Sequence, residues 1–248
     1  MALIRQAQSK DAEHALTTSK LNHEQHLVEL REQFVAVLGH DLRNPLAAII
    51  AGLNMIERDP TGERAAAMLP MMKLSAARMT ELIENTLDFA RTRLGGGIVL
   101  HRTLNDALRG RLDHVVAEVR VSHPECRIET AFELTEPVLC DPDRIDQMTS
   151  NLLLNAVTHG DATQPISVAA STQGGQFTLS VANAGEPIPL ALLEQLFQPF
   201  SPGATTARKG LGLGLYICAE IARAHDGSLS LASTPGQTRF VFQMPLKA

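Results

Sequence analysis

Tryptophan is absent from this sequence, tyrosine occurs once, and aromatic residues make up only 4% of its 248 residues. A core cannot be built on stacked rings here. It falls to Leu, Ile, Val, Ala and Met, a mix that favours helices. Cysteine is scarce as well. Cys126, Cys140 and Cys218 are too few and too scattered for a disulfide framework or a thiolate metal site, and they point to a reducing, cytoplasmic setting. Positive charge is not in excess. The net charge is -5 and no Lys/Arg run occurs, which excludes a basic face for nucleic acid. No apolar run approaches the roughly 20 residues of a membrane span, and the first thirty residues are too polar for a signal peptide. No membrane segment is expected in this chain, so a part that senses across a membrane would lie outside it.

Hydrophobic residues make up 44% of the chain, enough for a packed core, and the length allows one large domain or two ordinary ones. No Pro or Gly occurs before Gly39. Residues 1–30, rich in Gln, Glu, Lys and His with an irregular Leu16, Leu21, Leu27, Leu30 stripe, read as a signalling helix that needs a helical partner. The stripe then thickens through Phe34, Val37, Leu38, Leu42, Leu46, Ile49 and Leu53, at helical offsets. Pro45 sits inside it and predicts a bend. Arg58 to Gly62 is a turn signal, and a second amphipathic helix follows over 63–93. Two such helices make an antiparallel hairpin over 31–94. Its exposed apolar faces predict a homodimeric four-helix bundle.

Gly95-Gly96-Gly97 ends the helical half. Over 95–248 short strand-like runs (98–101, 127–133, 166–171, 176–182, 228–233, 238–244) alternate with helical ones (104–121, 142–159, 190–196, 213–225). This predicts a mixed α/β sandwich.

Four stretches carry chemistry. His40 and Asp41 stand on the apolar helix with Asn44 one turn on, a titratable cluster that packing alone does not require. Asp141-Pro142 predicts a helix start, with Asn151 and Asn155 on one face of that helix. An amide oxygen there can ligate Mg2+. Asn183-Ala184-Gly185-Glu186-Pro187-Ile188 ends a strand in a turn. Gly210-Leu211-Gly212-Leu213-Gly214-Leu215 opens an apolar helix, where backbone N–H groups can meet phosphate. The segment before it, from Phe197-Gln198-Pro199-Phe200 to Arg208-Lys209, reads as a lid. Each piece alone is ambiguous.

Taken in order, the set resembles the catalytic core of a sensor histidine kinase of a two-component system. The stretch around His40 resembles the family's H box. Asn151 to Ala156 resembles its N box, Asn183 to Ile188 its G1 box, Phe197 to Phe200 its F box and Gly210 to Gly214 its G2 box. Thr234 to Thr238 resembles its closing Gly-Thr turn. The resemblance covers about residues 20–246. It implies a dimerisation and phosphotransfer hairpin followed by an ATP-binding domain of the Bergerat type. ATP and Mg2+ would be the ligands, and a response-regulator receiver domain the partner. His40 would be the phosphoacceptor, Asp41 the group that orients its ring, and Asn44 the residue linked to dephosphorylating the partner. Asn155 would ligate Mg2+, and Asn151 would support the phosphate side. Asn183, Gly185 and Ile188 would meet the adenine, with Phe200 at the lid. Arg208, Lys209 and the glycine loop Gly210, Leu211, Gly212, Gly214, Leu215 would hold the triphosphate. The resemblance implies an upstream sensor domain, which is expected to lie outside this chain.

The sequence departs from the family pattern at three places. Asn183 stands where Asp is commonest, Pro187 replaces a Gly, and Thr158 stands where Lys is frequent. These substitutions bear on ATP affinity. They leave two further readings beside the kinase: a nucleotide-dependent docking module, and a member dominated by phosphatase activity through Asn44.

Overall fold

The computed structural model describes residues 38–39, 41–58, 63–93, 95–200 and 212–246. The residues before 38, His40, 59–62, Leu94, 201–211 and the last two lie outside the description, and with them the expected signalling helix and hairpin turn.

Residues 38–39 and 41–58 form α1, which continues through Pro45; α2 runs Glu63–Arg93 with Pro70 inside it. The two meet where Gly52 faces Met72, so closely that a Cβ on Gly52 would lie 2.5 Å from the Met72 sulfur. After α2, Gly95 and Gly97 adopt positive φ, which glycine enters without steric cost.

The elements that follow are β1 (Thr103–Asn105), α3 (Leu108–Ser122), β2 (Ile128–Glu133), β3 (Val138–Cys140), α4 (Pro142–His159), β4 (Ile166–Gln173), β5 (Gln176–Asn183), α5 (Leu190–Leu193), α6 (Gly214–Ala224), β6 (Ser228–Thr234) and β7 (Gln237–Pro245). The main sheet has the order β2-β4-β5-β7-β6, with β2 parallel to β4 and the other pairs antiparallel. β1 and β3 form a separate antiparallel pair. Burial alternates along β4 and β7, so one sheet face is apolar. That face packs under α3, α4 and α6. Phe177, Phe240 and Phe242 are buried there with Leu112, Ile145, Met148 and Leu152. Three phenylalanines and a shell of aliphatics thus supply the core that the aromatic-poor composition predicts.

The expected strand over 98–101 is absent. The His101 N–H donates to the Asp141 carboxylate at 2.8 Å instead of to a ladder, and the strand begins at Thr103. Helix α3 starts four residues later than predicted, after an Asx turn in which Asn105 accepts from the Ala107 N–H at 2.9 Å. α5 stops at Leu193 rather than 196; the chain then tightens into i→i+3 bonds such as Gln198 N–H to Gln195 O at 2.9 Å.

Candidate active site

Asp141 starts α4 as predicted. Its carboxylate accepts from the N–H groups of Asp143 and Arg144 at 3.2 and 3.3 Å, and Pro142 fills a first-turn position that needs no donor. The Asp141 N–H itself donates to Nε2 of His225 at 3.1 Å, while Nδ1 of His225 donates to the Ile221 carbonyl at 2.9 Å. Only the neutral ring can do both. Burial holds this imidazole below its ordinary pKa of 6.5. The N-cap of α4 and the C-terminal end of α6 are therefore one joint.

These two helices carry the expected nucleotide residues. Asn151 is buried, not on a solvated face; its Nδ2 has no oxygen or nitrogen partner among the described residues, with only the Cys218 sulfur, a weak acceptor, beside the amide. Gly214 opens α6 directly against it; a Cβ on Gly214 would lie 3.6 Å from the Asn151 amide carbon. A buried donor left unpaired costs about 1–3 kcal/mol unless a ligand satisfies it. Asn155, one turn further along α4, is half-buried. Among the described residues no side chain caps the start of α6, so the N–H groups of its first turn, around Gly214 and Leu215, and the positive end of its dipole can serve an anion. Gly212 precedes it with φ 64°. The Thr158 hydroxyl is engaged within its own helix, donating to the Leu154 carbonyl at 2.8 Å.

Asn183 is the buried last residue of β5, and its Nδ2 donates to the Ala184 carbonyl at 3.0 Å. Gly160, just past α4, lies hard against it. A Cβ there would come 2.4 Å from the Ala156 carbonyl oxygen and 3.1 Å from Asn183 Cβ. Gly185 is half-buried in the turn. Beyond it the Ile188 N–H donates to Ser233 Oγ at 2.9 Å, which tethers this turn to β6. The Phe200 N–H donates to the Gly212 carbonyl at 3.1 Å, and Phe200 itself has φ 61°. This bond joins the two ends of the 201–211 segment. Arg208, Lys209, Gly210 and Leu211 lie outside the described residues, as does His40. On α1, Asp41 is half-buried and Asn44 exposed.

The structure therefore brings Asn151, Asn155, Gly212, Gly214 and Leu215 to the α4–α6 junction. Asn183, Gly185 and Ile188 lie at the adjoining strand end. Sequence reading missed a second set: Asn85, Asp88, Phe89 and Thr92 on α2, and Arg144, Gln147 and Tyr216 facing them. Asn85 and Asp88 recur at helical spacing among apolar residues, and that was the available signal.

A one-sided sandwich in which two helices meet beside a buried amide and a glycine at a helix start can take a phosphate-bearing ligand. Residues 140–248 match the family described as histidine kinase-, DNA gyrase B- and HSP90-like ATPase, and residues 30–95 match the His kinase A phosphoacceptor domain. The chain belongs to the sensor histidine kinase family of two-component systems, of which it carries the catalytic core. It is 34% identical over 230 residues to a bacteriophytochrome of Pseudomonas aeruginosa, covering 92% of this chain and 31% of that one. It is 34% identical over 223 residues to the probable sensor histidine kinase TcrY of Mycobacterium tuberculosis, covering 86% and 46%. Among solved structures it is similar to full-length ShkA in complex with AMPPNP, with TM-score 0.59 and 25% identity over 86% of this chain and 45% of that one. The chain thus spans about a third to about half of the length of these curated relatives.

Proposed function

We propose that this chain is an ATP-dependent protein-histidine kinase that phosphorylates itself on His40 and passes the phosphoryl group to an aspartate of a response regulator. Its parts would be a signalling helix over 1–30, a dimerisation and phosphotransfer hairpin over 31–94, and a catalytic domain over 95–248. Membership of the sensor histidine kinase family supports the reaction class. The observation that carries the site is the buried Asn151 Nδ2, without an oxygen or nitrogen partner among the described residues, against Gly214 at the start of α6.

The residues fit a triphosphate. Asn151 Nδ2 supplies a donor, the first turn of α6 supplies backbone N–H groups, and Asn183 supplies an amide oxygen for the adenine. Among the described residues no group of three or more His, Cys, Asp or Glu side chains could hold a metal. As the family resemblance implies, Mg2+ would be held by the Asn155 amide oxygen together with the nucleotide it accompanies, and would neutralise phosphate charge there. In the reaction, the His40 Nε2 lone pair forms the bond to the γ-phosphorus as the bond to the β,γ-bridging oxygen breaks. That electron pair leaves on ADP. Asp41 accepts a hydrogen bond from Nδ1–H, which fixes the tautomer and stabilises the charge that forms on the ring. Positioning and charge neutralisation supply most of the rate.

Asn44, exposed on the turn that follows His40, supports a phosphatase activity toward the same partner, by orienting a water. The exposed apolar side chains of Leu46, Ile50, Leu53, Met71 and Leu74 support the homodimer.

Incubation with γ-labelled ATP tests the reading. The full chain is expected to gain an acid-labile phosphoryl group that His40→Gln abolishes while nucleotide binding persists. Label that survives His40→Gln refutes it. Asn151→Ala and Asn155→Ala are each expected to weaken nucleotide binding by about 10-fold or more, on the scale of a lost charge-assisted contact, measured by calorimetry.

A further inference from the structure

The last turns of α2 face the catalytic domain, and they do so through buried polar groups. The Asp88 side chain is only 4% exposed. Arg144 binds it in a fork, Nη1 to Oδ2 at 2.6 Å and Nη2 to Oδ1 at 3.0 Å. Gln147 Nε2 donates to Asp88 Oδ2 at 3.1 Å and to Asn85 Oδ1 at 3.3 Å, and Gln147 Oε1 accepts from Arg144 Nη1 at 2.7 Å. A second contact lies one turn on. Tyr216 of α6 donates to Thr92 Oγ1 at 2.9 Å, and Phe89 meets Phe200 and Tyr216 edge-on, with centroids 5.1 and 5.9 Å apart. One stretch of α2 therefore holds α4, the start of α6 and the Phe200 end of the 201–211 segment.

The register of this contact matters. Gln147 reaches both Asn85 and Asp88, and Arg144 reaches Asp88, so one turn of α4 is tied to one turn of α2. One and two turns beyond Gln147, on the same face of α4, are Asn151 and Asn155. In the hairpin, antiparallel counting from the Gly52–Met72 contact brings Asp41 level with Ile83, next to the clamp. Leu38 and Leu42 of α1 pack on the same core as Leu82. The helix that carries Asn151 and Asn155 and the part of α1 around Leu42 thus both meet the C-terminal half of α2. A buried ion pair contributes little net stability compared with an apolar pair, yet it fixes geometry sharply.

We propose that Asn85, Asp88, Arg144 and Gln147 form a positioning clamp that holds the nucleotide face of α4 in register with the phosphoacceptor turn of the hairpin, and so sets the rate of transfer to His40. The inference rests on the kinase reading above. The clamp makes and breaks no bond: the phosphoryl group goes from ATP to Nε2, and ADP leaves with the electron pair.

Asp88→Asn keeps the shape and removes the charge. In the full chain it is expected to slow autophosphorylation about 10- to 100-fold, the scale of a small misplacement of reacting groups, while the KM for ATP and the calorimetric affinity stay within about 2-fold and melting stays cooperative at a lower temperature, since Arg144 loses its counter-charge. The exchange Asp88→Arg with Arg144→Asp is expected to label faster than either single variant. Equal or faster labelling of Asp88→Asn overturns the proposal, since the contact would then be neutral or a brake. So does an exchange variant no faster than the singles. Gln147→Leu, which keeps the ion pair, is expected to give a smaller loss in kcat alone, and a change confined to KM overturns the proposal too. Wild-type label that survives His40→Gln refutes the kinase reading instead, so the two failures are distinguishable.

Discussion

At the scale of single residues, the site depends on close approaches that side chains would spoil. Gly160 is the sharpest case, because a methyl there runs into the Ala156 carbonyl and the Asn183 side chain together. Gly160→Ala is expected to cost about 1–3 kcal/mol of stability by overpacking, and to weaken nucleotide binding through the displaced Asn183. A melt and a titration of the same sample check both. His225 is the other case. Its ring is held neutral in the folded chain, below the ordinary 6.5. Below pH 6.5 the unfolded chain takes up a proton that the folded chain refuses, so stability falls as pH drops under that value and is flat above it. His159, exposed at the end of α4 but shifted down by partial desolvation of its ring, acts in the same direction. In His225→Gln the loss of melting temperature between about pH 7 and pH 5 is expected to shrink.

At the scale of elements, much was legible. The helix over 142–159 and the one over 63–93 were read to the residue. Asp141-Pro142 at one start and the glycines just past each end are backbone statements that local chemistry makes unaided. The strands of the main sheet were found to within two residues at each end, because buried-face alternation marks them. The three-residue pair β1 and β3 was not, since so short a run has no period to read. Nor was the clamp. Asp88 and Arg144 lie 56 positions apart, and nothing in either neighbourhood names the other as partner. The shared face of Asn151 and Asn155 was readable from their spacing; that Asn151 would be buried against Gly214 was not, because it depends on how α4 meets α6.

At the scale of the whole molecule, the chain joins a helical hairpin with exposed leucines to a sandwich that covers only one face of its sheet. Leu53→Glu is expected to convert a dimer to a monomer in sedimentation experiments while the catalytic domain still binds nucleotide, since Leu53 is 49% exposed on the hairpin and no part of the sandwich. The hydrogen bond from Phe200 to Gly212 has a consequence for engineering. It brings the residues on either side of the intervening 11 together within the folded domain, so extra length inserted there adds chain between two points that are already joined. Each doubling of the length between two joined points costs only about 0.6 kcal/mol. A fluorescent reporter peptide spliced in there is expected to leave the melting temperature almost unchanged, which makes this the natural port through which to watch nucleotide arrive.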